Sequence, residues 1–153
     1  MMSKKLVCFM FSLVFAVVFA ATGIYAGTEV ADVFKMETKE YATRTKGLVE
    51  FTHKKHVEDY GIKCGDCHHD DKGKALDLKA GDNVQRCVEC HKETEKAPKG
   101  EKLKKNEKIA KYHKEALHAN CIDCHKDFNK EKGYKGKDPK AAPQSCASCH
   151  PKK

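Results

Sequence analysis

The chain has 153 residues and a formal charge of +8, from 30 Lys plus Arg against 22 Asp plus Glu. From Gly27 onward Ile, Leu, Val and Phe number only 17 in 127 residues, about 13% and below the roughly 20% under which highly charged chains are disordered. That excludes an ordinary hydrophobic core: either the polypeptide stays unfolded or a non-protein group supplies the apolar interior.

In chain order, Lys4 and Lys5 precede an apolar run from Leu6 to Ala21, and Ile24-Tyr25-Ala26 offers a cleavage site before Gly27. This predicts an export signal over residues 1–26, with Cys8 as one more apolar residue inside it. The run is short for a membrane span and no positive stop follows it. The mature chain, residues 27–153, is expected to be one domain that is not an integral membrane protein, carrying +6 from 28 basic and 22 acidic residues. Residues 27–46 read as an irregular lead-in. From Gly47 to His53 the sequence alternates, which predicts a short strand with Val49, Phe51 and His53 on one face. After a Lys- and Glu-rich stretch from Lys92, Asn106 is the expected cap of a helix running through Ile109 to Leu117. Gly133 to Pro143 reads as loop.

A four-fold repeat overrides this weak periodicity. Cys64-Gly65-Asp66-Cys67-His68, Cys87-Val88-Glu89-Cys90-His91, Cys121-Ile122-Asp123-Cys124-His125 and Cys146-Ala147-Ser148-Cys149-His150 use every Cys after residue 26. A random chain of this composition would hold about 0.03 such matches. Cys-x-x-Cys-His is the signature of c-type haem attachment. Two thiols three positions apart on one turn reach the two vinyl groups of a porphyrin, and the next residue sets its imidazole under the iron. Two four-Cys zinc sites or four disulfides would use the same thiols, but neither gives a reason for His after every pair. A thioredoxin-like pair would require a βαβ context that is absent.

Four haems with His68, His91, His125 and His150 as proximal ligands leave His53, His56, His69, His113 and His118. The only Met after residue 26 is Met36, so Met can serve at most one iron. Bis-histidine ligation of all four irons takes four of the five remaining His, and bis-His ligation leaves potentials low. His69 cannot reach round to the far side of the haem held by His68, so it belongs to another. His53 and His56 are too close in sequence to straddle one macrocycle and should serve two. His113 and His118 differ by about 140° around a helix, and periodicity leaves open which of them is spare.

These residues resemble the tetrahaem class III cytochromes c of sulfate- and metal-reducing bacteria. The likeness runs from Val33 to His150 and is most specific in Val49-Glu50-Phe51-Thr52-His53-Lys54-Lys55-His56, in Cys64 to His69, and in Tyr112-His113 with Leu117-His118. The resemblance implies a small, mostly irregular and α-helical fold with a short β-hairpin, compact around haems that act as its core. It also implies the axial pairs His68 with His53, His91 with His69, His125 with His56, and His150 with His118, leaving His113 spare.

The expected function is a periplasmic, low-potential electron carrier with four covalent bis-His haems, not an enzyme. It would pass electrons between a periplasmic hydrogenase or dehydrogenase and a membrane-bound redox complex or terminal reductase. The alternatives are a multihaem reductase, which requires an open coordination position, and an electron-transfer subunit of a larger complex. With propionates ionised each ferric haem adds −1, so local patches matter more than net charge. Lys96 to Lys114 holds eight Lys against two Glu, and Lys126 to Lys140 six Lys against three acids. Such a face steers acidic redox partners. The family resemblance places the docking of hydrogenase near the fourth haem, where Lys135, Lys137, Lys140, Lys152 and Lys153 lie. Nothing in the chain fits a nucleic-acid-binding motif.

Overall fold

A computed structural model describes residues 31–152. The predicted export signal, its cleavage site and Lys153 lie outside the described residues. Two strands open the fold: β1 (Phe34–Lys35) pairs antiparallel with β2 (Glu50–Phe51), and Phe34 stands opposite Phe51. Their rings meet edge-on at 5.5 Å, the kind of cross-strand aromatic pair that holds so short a hairpin. β1 thus falls inside the segment expected to be irregular. The strand predicted to run to His53 stops at Phe51, and the chain turns into a helical turn from His53, widened over Lys55–Asp59. The alternation misled because Thr52 redirects the backbone: its carbonyl accepts both the main-chain N–H of His56 (3.2 Å) and that residue's Nδ1 (2.8 Å).

The first Cys pair lies on a 3₁₀ turn, Cys64–Asp66. Residues 69–75 then fold back through a bridge between His69 and Ala75. The Asp70 carboxylate fixes this turn by accepting the main-chain N–H groups of Lys72 and Lys74, a local pattern at which Asp excels. The second pair forms α1 (Cys87–Cys90).

α2 (Lys105–Lys111) begins at Lys104, whose N–H donates to the Glu107 carboxylate at 2.7 Å, so the expected Asn106 cap is displaced by two residues. The single helix predicted through Leu117 is broken at Tyr112, which is extended (φ −98°, ψ 121°). The break is made by tertiary contacts. Glu93 bridges Tyr112 in parallel, giving its N–H to Lys111 and accepting from His113 N–H, and the Tyr112 hydroxyl donates to Glu101. α3 (His113–His118) follows, then a widened turn over Ala119–Asp123 carries the helical path into α4 (Cys124–Lys132). Gly133, left-handed at φ 70°, ends it, with Tyr134 N–H returning to the Asn129 carbonyl. The segment expected as loop leads to α5 (Cys146–Cys149), capped by Ser145.

Among the described residues the buried apolar side chains are Val88, Tyr112 and Ala116, and none is fully buried. A protein interior is nearly lacking, as the composition required. Five short helices and one hairpin, with much irregular chain between them, make the small fold that was anticipated. No helix among the described residues is long and apolar enough to cross a membrane.

Candidate haem sites

The eight motif Cys lie two to each of four short helical or turn segments, and none pairs with another in a disulfide. Burial pushes the Cys121 thiol up to about 11, helped by the nearby Cys67, Cys149, Cys87 and Cys124. Burial also raises Cys67 and Cys87. Among the described residues no three His, Cys, Asp or Glu side chains converge as a metal cluster.

The imidazoles are arranged in pairs. His56 faces His125 at 6.3 Å between ring centroids, His69 faces His91 at 5.9 Å, and His118 faces His150 at 6.4 Å. His53 neighbours His68, where burial first and the His53 charge second hold His68 below its ordinary pKa. Two imidazoles bound to one metal from opposite sides, each nitrogen roughly 2 Å away, put their ring centroids about 6 Å apart. The three separations fit that distance.

Ring orientation fits as well. Nδ1 lies 2.8 Å from the Thr52 carbonyl in His56, 2.7 Å from Asp70 in His69, 3.1 Å from Ala110 in His91, 2.6 Å from Pro143 in His125 and 2.8 Å from Gly47 in His150. A carbonyl only accepts, so in each ring Nδ1 carries the proton and Nε2 keeps its lone pair for a metal. The break at Tyr112 has a purpose here: it frees the Ala110 carbonyl, near the end of α2, for His91. Gly47 plays a comparable part. A Cβ there would lie 2.4 Å from the Pro151 carbonyl oxygen, so only glycine lets the two ends of the fold approach while its own carbonyl takes His150. An open cavity of about 600 Å³ lies against this loop, lined by Tyr41, Arg44, Gly47 and Leu48 among others, within the size range of cofactor sites.

His113 is different. It is 3% exposed, and its Nδ1 lies 2.9 Å from the Tyr41 hydroxyl with the two rings tilted at 5.5 Å. Burial, then the neighbouring His91, holds its pKa below the ordinary 6.5. Sequence reasoning missed Tyr41, Asn129 and the backbone acceptors Gly47 and Ala110. For Asn129 a signal existed, since Asn is a weak helix former that prefers to pair with backbone. A backbone carbonyl leaves no mark in the sequence.

The model of the class III cytochrome C family matches residues 29–150. The chain is 31% identical over 138 residues to the cytochrome c3 of Nitratidesulfovibrio vulgaris, covering 90% of this chain and 92% of the relative. No solved structure matches it. Haem, iron binding and electron transport come with that family, and the chain belongs to it: it is a class III cytochrome c.

Proposed function

We propose that the protein is a periplasmic, low-potential electron carrier with four covalent haems, each ligated by two His. The observation that carries this reading is the pairing of imidazoles about 6 Å apart with Nδ1 protonated and Nε2 free. When bound, each haem supplies a one-electron ferric/ferrous couple. Cys64 and Cys67, Cys87 and Cys90, Cys121 and Cys124, and Cys146 and Cys149 would hold the four groups. His68 with His53, His91 with His69, His125 with His56, and His150 with His118 would ligate them.

The chain's own residues then set the direction of the potential. Each Nδ1–H that donates to a carbonyl makes its imidazole a better electron donor, which favours ferric iron and lowers the potential. Eight imidazoles on four irons leave no open position, so electrons pass but substrates do not bind at iron. Release of the mature chain after residue 26 would put it in the periplasm, where hydrogenase, a dehydrogenase and a membrane-bound redox complex are its partners. Lys135, Lys137, Lys140 and Lys152, all exposed, would form the docking face with Lys153.

Purified holoprotein with iron counted per chain tests the reading. Four irons, an entirely low-spin ferric electron paramagnetic resonance spectrum and no carbon monoxide binding after reduction are expected. A high-spin signal, or one equivalent of carbon monoxide bound, would replace it with a reductase. For the docking face, Lys137→Gln with Lys140→Gln should slow reduction by hydrogenase severalfold at low salt and little at high salt. An equal rate at low salt removes that face from the proposal.

A further inference from the structure

Asn129 is one of three buried polar residues among those described, at 6% exposure, and the haem motifs give it no part. It lies one turn after His125 on α4, on the same side of the helix. Its side-chain amide both donates to and accepts from one residue: Nδ2 donates to the Ala142 carbonyl at 2.9 Å, and Oδ1 accepts the Ala142 N–H at 2.7 Å. The next residue is Pro143, whose carbonyl accepts His125 Nδ1–H at 2.6 Å. On the other side Gln144 Nε2 reaches the His125 carbonyl at 3.4 Å. The loop from α4 to α5 is thus fixed to α4 at the point where it offers its acceptor.

We propose that Asn129 is a positioning residue for the iron site of His125 and His56, acting by clamping Ala142 so that the Pro143 carbonyl holds and polarises the His125 ring. This rests on the haem reading above. Two hydrogen bonds to one residue fix both the place and the orientation of the segment, and proline adds a fixed φ with no N–H to compete. The short Nδ1–O distance marks a strong bond. A ring so held donates more electron density to ferric iron, so the clamp lowers one potential of the four.

The test is spectroelectrochemical titration of the holoprotein with Asn129→Leu and Asn129→Asp. Asn129→Leu should reduce the preference of one site for ferric over ferrous iron about tenfold, a rise of ~59 mV for a one-electron couple. The other three potentials and all low-spin signals should stay. At neutral pH Asn129→Asp should act likewise, because its carboxylate accepts from Ala142 N–H but repels the Ala142 carbonyl. At acid pH the protonated carboxyl again has a donor for that carbonyl, so the shifted potential should return towards the unaltered value. A loosened fold would not be mended by one proton.

Four low-spin irons with no single potential moved, or with all four moved together, overturn the proposal. If neither variant folds, exchange of His125 Nδ1–H in the unaltered, reduced holoprotein decides by nuclear magnetic resonance. Exchange as slow as that of His150 supports the clamp, and exchange at the solvent rate refutes it. Fewer than four irons, or a high-spin iron, in the unaltered protein would instead defeat the haem reading itself.

Discussion

The two ends of α3, six residues long, carry the same side chain into opposite surroundings. At its start His113 is almost fully buried and bonded to the Tyr41 hydroxyl. At its end His118 is half-buried and faces His150 across 6.4 Å. Burial alone would choose His113 as the working residue, since it lies inward beside Ala116 on the same helix. Under the proposed ligation, what each ring meets reverses that choice. His113 has a hydroxyl partner and spends Nδ1 on it, while His118 has another imidazole at the separation of two ligands on one iron. An inward-facing histidine is thus identified by its partner and not by its depth.

The widest contrast between the two ends comes from removing each ring. His118→Ala should leave one iron high-spin and open, binding one equivalent of carbon monoxide on reduction, with three irons unchanged. His113→Gln should leave all four low-spin. If His113→Gln opens an iron and His118→Ala does not, the roles of the two ends are exchanged.

A smaller effect should appear in stability. His113→Gln disturbs a buried hydrogen bond and should lower the unfolding free energy by about 1–3 kcal/mol, while Tyr41→Phe, which removes only the hydroxyl, should cost about 1 kcal/mol. Denaturant midpoints with all four irons in place measure both. An equal loss from His118→Ala, with its iron still six-coordinate, would blur the comparison.

The finest test is pH. In the folded protein His113 is held below its ordinary 6.5, so as pH falls the unfolded chain takes up the proton first. The stability that the neutral ring contributes is therefore complete above about 6.5 and is lost as pH falls below it. Between pH 8 and pH 5 the unaltered protein should lose more stability than His113→Gln. Identical profiles would show that the buried ring is not held neutral.

Covalent chemistry made part of this molecule legible in advance. Thioether attachment needs fixed local spacing, so the four motifs stand out without any structure, and counting imidazoles follows from counting irons. The loop after Gly133 was also foreseeable, whereas the small hairpin was expected only through the family resemblance, since β1 lies in the segment read as irregular. The helix through Leu117 was not, because the break at Tyr112 is imposed by Glu93 and Glu101 from other parts of the chain, against a local sequence that suits a helix. His53 likewise sat well in an alternating pattern but belongs to the turn organised by the Thr52 carbonyl. The backbone atoms that orient the rings, at Gly47, Ala110 and Pro143, belong to no residue type that a motif could specify. Asn129 was missed because neither the helix that carries it nor its partner 13 residues away was predicted.

The bond from His150 to Gly47 spans 103 residues. The proposed fourth haem site would draw its thiols from α5, its second imidazole from position 118 and its supporting carbonyl from near the hairpin. The early pairings, His53 beside His68 and His69 beside His91, need far less chain. Removal of α5 with His150 would therefore cost the proposed fourth haem site and, with it, the hydrogen bond that ties this segment back to Gly47.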